Sequence, residues 1–149
     1  MKSISNYINQ TTKIILDYLT QKFDGSSDNE VPEIISKFNK AKIPTSKPLI
    51  SLGIDKISVL PISLNNYLNS DDGSANHQID MTLSFSIYVP LKLEAPICYK
   101  IFYQLSKALI NNNIGIKFSN ITCTKPEFLK SNNCFLLTAY SSISVFPQI

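Results

Sequence analysis

Between Gln78 and Val89 the apolar and polar positions alternate without a fault. Ile79, Met81, Leu83, Phe85, Ile87 and Val89 point one way; Gln78, Asp80, Thr82, Ser84, Ser86 and Tyr88 point the other. A period of two sends successive side chains to opposite faces of a β-strand, so this segment has one core face and one polar face. At roughly 3.3 Å per residue such a strand runs about 40 Å, twice the usual span of about 17–20 Å. Its polar face carries small hydroxyls and a tyrosine in place of Lys or Glu. That composition suits contact with another sheet or subunit, and equally suits plain solvent.

Upstream the period changes. Over residues 3–23 the apolar side chains Ile4, Tyr7, Ile8, Ile15, Tyr18, Leu19 and Phe23 recur at steps of three and four, with Thr11 filling the gap. This predicts an amphipathic helix with Ser3 as its N-cap and Gly25 just beyond its end. A second, shorter helix is expected next, capped by Asn29, with Pro32 near its first turn and Ile34, Ile35, Phe38 and Ala41 on one side. Pro44 and Pro48 end it and leave an extended connector.

Residues 49–62 read as one interrupted strand or two short ones. Gly53 breaks the apolar run, after which Ile57 and Val59 alternate with Lys56 and Ser58, and Pro61 marks an edge or an end. Residues 63–77 form a polar loop rich in Asn, Ser and Asp. Beyond the long strand, Pro96 starts a helix with the stripe Ile97, Ile101, Leu105, Ala108 and Leu109, Cys98 and Phe102 lying beside it. The run Asn111, Asn112, Asn113 ends it. Residues 116–123 follow as a strand. A turn at Lys125-Pro126-Glu127 or at Ser131-Asn132-Asn133 then leads to a last strand over residues 134–146. The predicted class is α+β: one domain over residues 1–149, with a mainly antiparallel sheet and a long central strand. The N-terminal helix and the crossover helix cover that sheet.

Composition narrows the functions. A chain of 149 residues is long enough to bury a core without a disulfide or metal. All 14 basic residues are lysine, so the bidentate fork that reads guanine is missing and sequence-specific nucleic-acid binding is not expected. The tightest basic group, Lys37, Lys40, Lys42 and Lys47, reads first as a solvated face. No run of about 18 apolar residues exists, and the N-terminus lacks a signal-like apolar stretch, so no membrane span and a cytoplasmic origin are expected. Of the three cysteines, Cys98 reads as a small core side chain; Cys123 and Cys134 flank a turn and could be cross-strand neighbours.

Candidate chemistry is thin. His77 is the single histidine, with Asp71, Asp72 and Asp80 near it in sequence, but no nucleophile elbow accompanies them. One histidine and three scattered cysteines give no metal-ligand spacing. Asp71-Asp72-Gly73 is a turn that lacks the spaced carboxylates of a calcium loop, and Ser51-Leu52-Gly53 is no phosphate loop. Asp17, Asp55, Glu94 and Glu127 fall in unrelated segments. No enzyme activity and no cofactor are expected. Tyrosines are the better clue, because Tyr88 and Tyr140 fall on polar strand faces, as in adaptable contact surfaces.

This layout resembles the tail terminator proteins of phage tails and phage-tail-like bacteriocins. The shared features are the helix over residues 3–23, the early strands over 49–62 and the polar loop over 63–77. The long strand over 78–89, the Pro-started helix over 96–110 and the closing strands over 116–146 complete the match. It spans most of the chain and rests on topology; the second helix has no counterpart in it. The resemblance implies a structural subunit, assembled as a ring, with a hexamer expected. Such a ring caps a tail tube, or a tube and sheath, stops polymerisation and offers a docking surface. Its place would be the cytoplasm of the producing bacterium and then the assembled tail or tail-like particle. On this reading Gln78, Asp80, Thr82, Ser84, Ser86 and Tyr88, with Tyr67, Asp71 and Asp72 of the loop, belong to the interface. The alternative is a cytoplasmic small-ligand-binding or regulatory domain, with a pocket between sheet and helices lined by Phe85, Phe102 and Phe118.

Overall fold

The computed structural model describes residues 4–23, 32–36, 47–61 and 77–146. Helix α1 spans Ile4–Lys22, strand β1 Glu33–Ser36, β2 Leu49–Pro61 and β3 His77–Pro90. A 3-10 turn at Leu91–Leu93 leads into helix α2, Pro96–Ile110, followed by β4 Ser119–Cys123, β5 Glu127–Leu129 and β6 Cys134–Val145. The class is α+β with a mixed, mostly antiparallel six-stranded sheet in the order β1-β2-β3-β6-β4, β5 also pairing with β6.

The alternation read from the sequence sets the register of the sheet centre. Phe85 faces Leu52 on β2 and Ala139 on β6, and Ile87 faces Ile50 and Leu137, so each inward row joins three strands. Ile79, Met81, Leu83, Phe85, Ile87 and Val89 are all buried. Against them lie Ile15, Tyr18 and Leu19 of α1 and Cys98, Ile101, Leu105 and Leu109 of α2. Both helices therefore cover one face of the sheet. Thr11 bridges the gap in the α1 stripe as expected. It is buried, and its Oγ1 donates to the Tyr7 carbonyl at 2.9 Å. This bond satisfies a hydroxyl that would otherwise be stranded in the core.

Helix α2 begins where its proline predicts, with Pro96 in the first turn, where a missing amide donor costs nothing. Its end is built by Asn112. The side-chain amide donates to the carbonyls of Leu109 and Ile116, both at 2.7 Å, and its Oδ1 accepts from the Ile114 amide. One residue thus closes orphan carbonyls of the last turn and turns the chain back toward the sheet. The helix is a crossover, because β3 and β4 are each antiparallel to β6 and so run parallel to one another. The last strand, β6, inserts between them.

Four expectations are corrected. The second helix is not formed at Glu33–Ser36; these residues make a strand parallel to β2, with Ile34 beside Ile50. Phe38 and Ala41 lie outside the described residues. Nor is β2 interrupted at Gly53, which pairs in register with Ser84. The break is a bulge between Ile54 and Lys56, where the extra residue Asp55 switches the inward set from Ile50, Leu52 and Ile54 to Ile57 and Val59. Of the two candidate turns before the last strand only the second is formed: residues 124–126 join β4 to β5 along one edge of β6 without a turn, Glu127 already lying in β5, and residues 130–133 turn tightly into β6. Finally, Cys123 faces Ala139 and Cys134 faces Leu129, so the two are not neighbours and all three cysteines are free.

Candidate functional site

The outer face of the sheet, opposite the helices, is graded along the strands. At one end Tyr88 stands between Leu49 and Leu136, making an apolar row. Next come Ser86 between Ser51 and Thr138, then Ser84 between Gly53 and Tyr140. At the far end Thr82 stands between Lys56 and Ser142, and Asp80 between Ser58 and Ser144. Small side chains in the middle row leave a hydroxyl-lined floor, flanked by Tyr88 and Tyr140.

Asp80 is the charged centre of this face. Its Oδ1 accepts from Ser144 Oγ at 2.6 Å and from Gln78 Nε2 at 2.8 Å. The Ser144 bond first, then the Gln78 bond, holds the carboxyl below its ordinary range, so it is ionised at neutral pH. Along the edge, Ser119 Oγ donates to the Ser142 carbonyl at 3.1 Å and Ser141 Oγ returns a bond to the Ser119 carbonyl at 2.9 Å. These paired bonds fix β4 against β6 where the ladder is irregular.

The structure gathers Gln78, Asp80, Thr82, Ser84, Ser86 and Tyr88 on this one face. Ser84 and Ser86 are each only 3 % exposed, whereas Gln78, Asp80, Thr82 and Tyr88 are half-buried and reachable from outside. Tyr67, Asp71 and Asp72 lie outside the described residues, as do Lys37, Lys40 and Lys42. His77 begins β3 opposite Pro61.

Two features were not anticipated. Helix α2 turns Tyr99, Tyr103 and Ile110 outward, and the Lys107 Nζ lies 5.8 Å from the centre of the Tyr103 ring. Their steps of four and seven, off the inward stripe, were the available signal. Secondly, an open cleft of about 770 Å³ lies between α1 and the β2 bulge. Ile8, Leu16, Ile54 and Ile57 supply its apolar lining, while Lys13, Asp17, Asp55 and Lys56 supply charge. Asp17 and Asp55, remote in sequence, thus border one cavity. Of the side chains expected to line a pocket between sheet and helices, Phe85 and Phe118 are buried in the core cluster and Phe102 packs against it.

Among the described residues, no group of three His, Cys, Asp or Glu side chains is placed to hold a metal ion. No described helix is long and apolar enough to cross a membrane. The chain matches no protein-family model, and no curated protein is similar to it in sequence.

Proposed function

We propose that this chain is a ring-forming structural subunit of the tail-terminator kind, which closes the end of a phage or phage-like tail tube and offers a docking surface there. The observation that carries the reading is the division of the fold into unlike sides. Helices cover one face, and on the other the sheet gathers hydroxyls, tyrosines and one ionised aspartate, of which Gln78, Asp80, Thr82 and Tyr88 are half-exposed. A ring is a head-to-tail assembly that closes by rotation, so each subunit needs two different complementary patches. Tyrosine with small hydroxyls is the composition of contact surfaces that form many modest hydrogen bonds without fixed charge pairs. Subunit contact, tube capping and polymerisation arrest all follow from surfaces, and no step requires bond chemistry.

The test is negative-stain microscopy of the purified protein with and without its tube protein. Rings seated on tube ends, with tubes held to a limited length, are expected. Tubes that grow equally long with or without the chain, and no rings, overturn the reading.

The α1–β2 cleft favours a second reading, a domain that binds a small ligand. It predicts a raised melting temperature with an amphipathic small molecule, and loss of that rise in Leu16→Asp.

A further inference from the structure

Among the described residues, the helices and the outer sheet face carry opposite charge. Helices α1 and α2 hold Lys13, Lys22, Lys100 and Lys107 against the single Asp17. On the outer sheet face the carboxylates Glu33, Asp80 and Glu127 stand against Lys56. α2 adds an apolar element, since Tyr99, Tyr103 and Ile110 are 49 %, 64 % and 66 % exposed on the side away from its buried stripe. Lys107 stacks its cation beside Tyr103 within that patch.

We infer that the basic, tyrosine-striped face of α2 in one copy packs on the acidic, hydroxyl-lined outer sheet face of the next copy. The inference rests on the ring reading above and names the two surfaces that ring would use. Like-on-like pairing is disfavoured: it would set lysines against lysines or carboxylates against carboxylates, whereas the unlike pairing is complementary. Tyrosine hydroxyls from α2 both donate and accept, which matches a floor of Thr82, Thr138 and Tyr140 able to do the same. Hydrogen bonds from Ser144 and Gln78 keep Asp80 charged and fixed in place for a cationic partner. A head-to-tail contact between unlike surfaces also leaves one patch unmatched at each end of an open chain, the α2 face at one end and the sheet face at the other, so growth stops only by closure.

The test uses two variants at exposed positions. Tyr103→Glu spoils the α2 face, and Ser144→Lys spoils the sheet face; Tyr103→Ser and Thr82→Lys are held in reserve should either fail to fold by circular dichroism. Analytical ultracentrifugation should show wild type as an oligomer that dissociates as salt rises. Each variant alone should be monomeric, and an equimolar mixture should give a 1:1 dimer, because one good patch of each kind remains. If the folded variants keep the wild-type mass, or if their mixture stays monomeric, the docking is overturned while a ring remains. A wild-type chain that is monomeric at millimolar concentration, and forms no ring with its tube protein, overturns the ring reading and this inference together.

Discussion

The Tyr18 hydroxyl donates a 2.6 Å hydrogen bond to the Ala108 carbonyl, tying α1 to α2 across 90 positions of sequence. Ala108 lies in the last turn of α2, where carbonyls have no intrahelical donor, so the bond satisfies an orphan group inside the core. Both helices also contribute side chains to one core cluster against the sheet.

Removing that hydroxyl alone tests the tie. Tyr18→Phe should lower the unfolding free energy by about 1 kcal/mol, within the range for one buried hydrogen bond, in urea titration. Burial raises the phenol above its ordinary range, so the neutral form is favoured in the folded chain. The sign follows: this contribution is fully present below the ordinary tyrosine value and is lost as pH rises through the raised one. Wild type should therefore lose its advantage over Tyr18→Phe only in strongly alkaline buffer.

The bulge at Asp55 sets the face of every later residue in β2. Deleting Asp55 together with Lys56 forces the strand to choose between a straight ladder, which turns Ile57 and Val59 outward, and a shifted pairing with β3, whereas deleting Asp55 alone leaves Ile57 opposite Met81. For the double deletion either outcome should cost about 1–2 kcal/mol, the scale of withdrawing two aliphatic side chains that are already 42 % exposed. Asp55→Gly, which keeps the residue count, should stay within about 1 kcal/mol of wild type. Paired urea melts of the two variants separate register from side chain.

Asp80 gives a pH dependence of the opposite sign. Its folded carboxyl lies below the ordinary value, with the Ser144 bond the largest cause and the Gln78 bond the next. Stability from this site is thus present above the unfolded value and lost as pH falls through the folded one. Ser144→Ala should flatten the fall in urea midpoint between neutral and acidic buffer relative to wild type, with little change at the acid end.

Thiol reactivity should follow burial. Cys98 is fully buried and desolvation pushes its thiol up to about 11, while Cys134 is buried and also raised by desolvation. Cys123 on β4 is half-buried and raised by the same cause. In native protein at neutral pH, Cys123 should react first with a disulfide reagent and the other two only on unfolding. Peptide mapping after timed labelling checks the order; rapid native labelling of Cys98 would contradict the packing of α2.

What the sequence made legible was what repeats over many residues. Twelve residues of faultless alternation in β3 and three turns of stripe in α2 left no competing period, and the structure follows both. The short elements were not legible, for a physical reason. Ile34 and Ile35 fit the first turn of a helix as well as four residues of strand, and only the neighbouring β2, unseen in one dimension, decides between them. The bulge hid behind Gly53, a residue that ordinarily marks such breaks but here simply pairs with Ser84. On the outer face the pattern put the residues on one side but did not give their access: Ser84 and Ser86 are buried, which alternation cannot reveal.

The margin made by β4 and β5 is parted at residues 124–126, holds Asn120 at φ 53°, and shifts its pairing with β6 between Ser119 and Thr122. An uneven border of that sort makes a poor template for an incoming backbone. On that flank, fibre-like stacking is suppressed and neighbours must be chosen by side chains. Contacts chosen that way are finite, salt-sensitive and alterable one substitution at a time.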